Sequence, residues 1–311
     1  MKWYFKIILF FFILVVIIQT LTIIFIPNIS NLKQFGFYNK AKYDLLDEKN
    51  DTVDTLFIGD SLIYSSLIPV QIWNEYGFTS FDCAIPSQAI DNSLDYLKIG
   101  VEAQHPKVVM LETDVLFRTL KNPNRTKNEI EALKNHAPIL IFHDNWKQFG
   151  SDGFINIYKG HKVNVKSVPV DKLKIVDKSK RYVKIRDDIL AYFDEFVKVC
   201  NDNNIKLVLI DVPNQKSWNQ TRHNTSEKLA QDYKLDFIDL NLEDLGIDWN
   251  VDTKDGGEHM NFNGARKVSS YMGKYLSQLN ILEDHRNDSK YNDWNKAYEM
   301  FLEKSVDEEN R

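Results

Sequence analysis

The chain has 311 residues, of which 43% are hydrophobic and 27% charged, with a formal net charge of -5. That apolar content supports a sizeable core and excludes a disordered chain. The weak acidity, without a long Lys/Arg stripe, excludes a nucleic-acid partner as the main target, although a local basic patch remains compatible with a negatively charged polymer.

In chain order, the first feature is an apolar run from Ile7 to Ile26 whose only polar residues are Gln19, Thr20 and Thr22. Such a run is about 30 Å long as a helix, the thickness of a bilayer core. Lys2 and Lys6 precede it, and Pro27-Asn28-Ile29-Ser30 follows with no small-x-small cleavage site. Residues 1–27 are therefore expected to be an uncleaved transmembrane signal anchor, single-pass, with the rest of the chain extracytoplasmic at the cell membrane. Residues 28–50 form a membrane-proximal linker.

Short apolar runs then alternate with helical patterns. Strands are expected at Thr55–Ile58, Thr79–Ala84, Lys107–Leu111, Lys206–Ile210 and Asp236–Leu240. Helices are expected at Pro69–Tyr76, Ser87–Ala103, Ser179–Asn203, near 223–233 and near 263–279. The alternation predicts an α/β fold: three layers, with a parallel five-stranded sheet between helices. An irregular stretch at about 113–178, with a helical piece near 126–148, is expected to be an insertion in a domain spanning 51–280. Residues 281–311 are expected to be a charged C-terminal tail or peripheral helix.

The chain has two cysteines and seven histidines. Cys83 and Cys200 form no CxxC pair and are expected to be buried thiols. His105, His136, His143, His161, His223, His259 and His285 include no HExxH pair, and no Gly-rich nucleotide fingerprint is present, so neither metal nor cofactor is expected.

The chemistry centres on Gly59-Asp60-Ser61, where the first strand ends. Ligand sites in open parallel sheets lie beyond the carboxyl ends of strands, so a serine there faces a crevice with its own amide near a reacting group. A serine hydroxyl needs a base, and His259, in a polar Gly-containing loop before a helix, supplies one. Asp255 is the favoured carboxylate to hold the imidazole, over Asp252 and Glu258. Asn261 or Asn263 caps the helix that follows.

Phe57-Ile58-Gly59-Asp60-Ser61 and the late segment DGGEHMNFNGA resemble the first and last blocks of the SGNH/GDSL hydrolase superfamily, with similarity across roughly residues 50–280. More narrowly, the chain resembles membrane-anchored Gram-positive members associated with O-acylation of cell-surface polymers. The resemblance implies a Ser61 nucleophile and a His259 base. The family places its Asp three residues before the His, where this chain has Gly256; Asp255 stands one residue earlier, and the two glycines can absorb the difference. The family's second-block Gly is missing from Ala84-Ile85-Pro86-Ser87-Gln88, leaving the amides of Ser87 or Gln88 as oxyanion donors beside that of Ser61. The third block's Asn is also missing from Glu112-Thr113-Asp114, leaving Thr113 as a weak donor. One absent donor costs about 3 kcal/mol of transition-state stabilisation.

Substrate-contact candidates are His143 and Trp146, with a helix end as the alternative, and Asn214 and Trp218, with a capped loop as the alternative. The expected function is acyl-ester chemistry, by transfer or de-esterification, on a cell-envelope polysaccharide or related glycopolymer, beside a membrane-bound O-acyltransferase partner. The alternative is a weak or inactive scaffold of the same fold that binds glycan or that partner.

Overall fold

A computed structural model of the chain describes residues 2–25, 44–120, 156–173 and 179–309. Contacts divide it into two units, Met1–Asp47 with Lys121–Phe154, and Glu48–Leu120 with Ile155–Arg311. In the first, helix α1 (Lys2–Phe25) contains the stretch Trp3–Ile24, whose 22 residues are long and apolar enough to cross a membrane.

The second unit holds a five-stranded sheet in the order β2-β1-β3-β4-β5, formed by Thr55–Gly59 (β1), Ser80–Ala84 (β2), Val108–Glu112 (β3), Lys206–Asp211 (β4) and Asp236–Asp239 (β5). Every pairing is parallel. Parallel strands need helical cover on both faces, which is why β1, β2 and β3 are buried along their whole length.

On one face, Phe57, Val108, Met110, Val208 and Ile210 share a core with α2 (Ser61–Ser66), α3 (Pro69–Tyr76) and α7 (Phe262–Gln278). On the other, α4 (Ile90–Gln104) packs on β1 and on α5 (Asp187–Asp202). Gly100 permits that approach, because a Cβ there would lie 2.3 Å from Leu56 Cδ1. Helix α6 (Gln220–Tyr233) packs on β5. Pro69 occupies the first turn of α3, and left-handed Gly77 ends it.

Two expectations change. The helix expected from Ser179 begins only at Asp187. Residues 179–186 run irregularly along α6: Val183 N donates to Thr225 Oγ1, and Asn224 Nδ2 donates to the carbonyls of Ser179 and Arg181. Those side-chain bonds satisfy the backbone without a helix. The charged C-terminal segment forms α8 (Asn292–Glu309), and it is more than a surface wrap. Trp294, Ala297 and Phe301 are buried, and the helix packs on α3. A buried Lys159–Glu48 ion pair of 2.7 Å, with Lys159 Nζ 4.4 Å from the Trp294 ring, ties residues 156–163 to this corner. Cys83 and Cys200 are free and buried, as their apolar settings predict.

Candidate active site

The strand order reverses between β2-β1 and β3, which makes the carboxyl ends of β1 and β3 the switch point where ligands bind in open α/β sheets. β1 ends at Gly59 with Glu112 of β3 close alongside: a Cβ on Gly59 would lie 2.7 Å from Glu112 Cβ and 2.5 Å from Ile63 Cγ1. Only glycine lets the chain turn there. Asp60 then caps α2 by accepting from Leu62 N at 2.8 Å, which makes Ser61 the first helical residue. First-turn amides have no acceptor within their own helix, so the Ser61 N–H faces outward.

The loop between residues 252 and 261 brings the base to this turn. His259 Nε2 lies 2.8 Å from Ser61 Oγ, and His259 Nδ1 lies 2.6 Å from Asp255 Oδ2. Asp255 Oδ1 also accepts from the amides of Glu258 (3.1 Å) and His259 (3.0 Å). Burial works against the Asp255 charge, but the ring and amide donors outweigh it and hold the carboxyl below its usual range.

The extra residue between Asp255 and His259 is absorbed by Gly256 (φ 77°) and Gly257 (φ 102°), both in the left-handed region. Gly257 is also packed closely: a Cβ there would lie 2.8 Å from Gln215 Cβ and from Val170 Cγ2. Asn261, rather than Asn263, caps α7. Of the competing carboxylates, Asp252 is placed elsewhere. Asp252 accepts from Lys267 Nζ at 2.6 Å and from the Asp248 amide at 2.7 Å, and so ties the loop to α7. Asp255, Glu258 and His259 hold donor atoms within 4.8 Å of one another, but both His259 ring nitrogens are engaged by Asp255 and Ser61.

Several surrounding residues had no signal in the sequence. The Tyr64 phenol, one turn after the nucleophile, is pushed above its usual range by burial, with the nearby Ser61 hydroxyl opposing. Lys162 N donates to the Tyr64 carbonyl at 2.9 Å, and Lys162 Nζ sits 4.1 Å from the Tyr64 ring centroid. Lys254 Nζ donates to Ser65 Oγ at 2.9 Å, and Lys216 Nζ donates to the Asp255 carbonyl at 2.6 Å. Residues 164–170 brace the loop: Val168 N donates to Thr253 O, Gly256 N to Val168 O, and Phe262 N to Asn164 O. These partners lie far apart in the chain, so no local pattern announces them.

Beneath Ser61 lies a buried acidic cluster. Arg118 pairs with Asp60 and, at 2.7 Å, with Asp114, which also pairs with Arg222. Glu112 Oε1 accepts from Asp114 N at 2.9 Å, while its Oε2 is buried with no partner among the described residues. Burial, and then the charges of Asp114, Asp60 and Asp211, push the Glu112 carboxyl well above its usual range. Burial, followed by Asp239, pushes Asp211 up to about 8.

The remaining sequence candidates divide. Ser87 is exposed, with φ 53°, in the turn three residues after β2, whose last residue Ala84 pairs with Gly59. The Gln88 amide is instead bonded to Ile85 O at 3.2 Å, and its side chain closes the same turn through Cys83 O and Ser93 Oγ. The Thr113 hydroxyl is buried, donates to Asp211 and accepts from Ser226 Oγ at 3.0 Å. The Gln88 amide and the Thr113 hydroxyl are thus each engaged by other protein groups. Asn214 is a loop organiser: its Oδ1 accepts from the amides of Lys216, Ser217 and Trp218. Trp218 is buried, with Nε1 donating to Asp239 at 2.7 Å. The capped-loop arrangement occupies Asn214 Oδ1 and Trp218 Nε1, and both residues line a small pocket with Glu112, Thr113 and Arg222. His143 and Trp146, and the helical stretch expected near 126–148, lie outside the described residues.

No protein-family model and no curated protein matches the chain. Solved structures similar to it include a psychrotrophic esterase, EstA, from Pseudoalteromonas sp. (11% identity, 72% of this chain and 97% of that one, TM-score 0.41). A GDSL-like lipase from Bacteroides thetaiotaomicron is similar at 12% identity over 72% of this chain and 88% of that one, TM-score 0.37. A lipase/acylhydrolase from Enterococcus faecalis is similar at 12% identity over 75% and 98%, TM-score 0.39. Likeness at this level carries no functional weight; the chemistry of the site rests on its own geometry.

Proposed function

We propose that the protein carries out serine-dependent acyl-ester chemistry on a cell-envelope polysaccharide or related glycopolymer, as a single-pass membrane protein with its α/β unit extracytoplasmic. The observation that carries this reading is the chain of hydrogen bonds Ser61–His259–Asp255 at the switch point of the sheet. Ser61 Oγ attacks the acyl carbonyl as His259 Nε2 takes its proton, and Asp255 stabilises the resulting imidazolium. The imidazolium then returns the proton to the departing alcohol, leaving an acyl-Ser61 ester. A second hydroxyl, from water or from a sugar, attacks that ester through the same base and releases Ser61. The Ser61 amide, with the Ser87 amide as the second candidate, is assigned as the oxyanion donor.

Transfer to a sugar is favoured over hydrolysis. Anchoring by α1 would keep Ser61 near a membrane-bound O-acyltransferase that supplies acyl groups, and with Thr113 and Gln88 committed elsewhere the oxyanion site is sparse for a fast general esterase. The same sparseness is what supports the scaffold reading. The two separate on the full chain in detergent, treated with a fluorophosphonate probe and an acetyl ester. Wild type labels and turns over, and Ser61→Ala loses about a millionfold in kcat. Absence of Ser61-dependent labelling and turnover rejects the enzyme reading. In cells, Ser61→Ala lowers envelope acetyl content if the protein transfers and raises it if the protein removes.

A further inference from the structure

A serine hydroxyl has one proton to give and lone pairs to accept with. Asp255 accepts from His259 Nδ1 at 2.6 Å, so Nε2, 2.8 Å from Ser61 Oγ, is the bare ring nitrogen and takes the serine proton in its hydrogen bond. On its other side Ser61 Oγ can only accept.

Tyr64 stands on that side. It follows Ser61 by three residues on α2, and side chains at that spacing share a helix face, the later one leaning back over the turn before it. Its phenol lies near the Ser61 hydroxyl, and no other side chain among the described residues bonds it. Burial pushes the phenol above its usual range, so it keeps its proton at neutral pH and is the donor of the pair. The ring is fixed by its surroundings. Lys162 Nζ and Lys254 Nζ lie 4.1 Å and 5.9 Å from its centroid, and Lys162 N donates to Tyr64 O at 2.9 Å.

A donor on Oγ acts differently in the two halves of the reaction. In the first, Oγ attacks the acyl carbon with a lone pair and gives its proton to His259. A hydrogen bond that draws on the electrons of Oγ gives no help there. In the second, the acceptor hydroxyl attacks the carbon of acyl-Ser61 and its proton goes to His259 Nε2. The tetrahedral intermediate then collapses: the bond between the acyl carbon and Oγ breaks, the electron pair stays on Oγ, and the imidazolium returns the proton to it. Charge builds on Oγ in that step, and a donor already aimed at it stabilises the build-up.

Resting on the Ser61 ester reading, we propose that Tyr64 is a catalytic residue of the second half-reaction, its phenol donating to Ser61 Oγ and assisting its departure as the acyl group passes to the acceptor. The phenol keeps its own proton throughout. A purely structural role, in which Tyr64 only holds Ser61 in place, would serve both halves equally.

The test uses the full chain in detergent and 4-nitrophenyl acetate, whose good leaving group makes acylation fast. Tyr64→Phe removes the hydroxyl and keeps the ring between its lysines. Its kcat is expected to fall about tenfold to a hundredfold, with KM falling alongside, so that kcat/KM, which reports acylation, stays within a few-fold of wild type. Stopped-flow traces should show a stoichiometric burst of nitrophenol. Intact mass spectrometry should show acetylated enzyme accumulating in Tyr64→Phe and none in Ser61→Ala. Fluorophosphonate labelling, which follows attack by Ser61 alone, should keep its wild-type rate. A loss in kcat/KM as large as that in kcat, without acetylated enzyme, gives Tyr64 a structural role only and overturns the proposal; an unchanged kcat overturns it too. In both cases Ser61-dependent turnover in wild type leaves the ester reading standing. Absence of that turnover in wild type overturns the ester reading itself, and this proposal with it.

Discussion

Two Asp–His pairs stand at the carboxyl edge of the same sheet, and their ion-pair distances barely differ: 2.6 Å for Asp255–His259 and 2.7 Å for Asp239–His223. Their surroundings differ completely. Asp255 is 35% exposed, and the imidazole it holds meets the Ser61 hydroxyl. Asp239 is 3% exposed, and its other contact on the same oxygen is the indole N–H of Trp218. The first pair leads to a nucleophile on another segment. The second closes on itself and pins α6 and the 214–218 loop to β5. An aspartate–histidine contact is thus chemically uninformative until the far side of the ring is known.

The largest way to break this comparison is Asp255→Asn. It leaves the packing in place but removes the partner of the imidazolium, so kcat is expected to fall about 10^4-fold with little change in Tm. If His223→Gln produced a comparable loss of turnover on the same ester, the assignment of the two pairs would be reversed.

Gly257→Ala comes next. A side chain at φ 102° is strained and would press on Gln215 and Val170, so the 255–259 loop should shift. We expect a loss of about 1–3 kcal/mol of stability by denaturant unfolding, together with reduced Ser61 labelling. Normal labelling would show that the loop tolerates a different path to His259.

His223→Gln is expected to cost about 1 kcal/mol with turnover within a few-fold of wild type, measured by urea unfolding and by ester assay. The smallest effect is its pH dependence. The hydrogen bond to Asp239 raises the His223 pKa above 6.5, against the opposing effect of burial. A histidine whose folded pKa is raised contributes stability that is fully present below its unfolded pKa and is lost as pH rises through the folded value. The gap in Tm between wild type and His223→Gln should therefore be widest below pH 6.5 and narrow above it. A gap that widened with rising pH would contradict the pairing.

The sequence by itself determined the alternation of short apolar strands and amphipathic helices, because burial on both faces of a parallel sheet leaves a readable pattern in each segment. It also determined that Ser61 follows the first strand and that His259 stands before a capped helix, because turn and cap chemistry is local. It did not show that residues 179–186 stay out of the helix, that Trp294 and Phe301 return to the core, or that Lys162, Lys254 and Tyr64 gather at the nucleophile. Those arrangements depend on partners tens to hundreds of positions away, as Lys254 with Ser65 and Val183 with Thr225 show. Asp255 was already favoured over Asp252 in the sequence; the tertiary structure set it against His259 and tied Thr113 and Gln88 to other protein groups. A hydrogen bond is decided by where two groups meet in space, and a side chain's identity fixes only which bonds it can make.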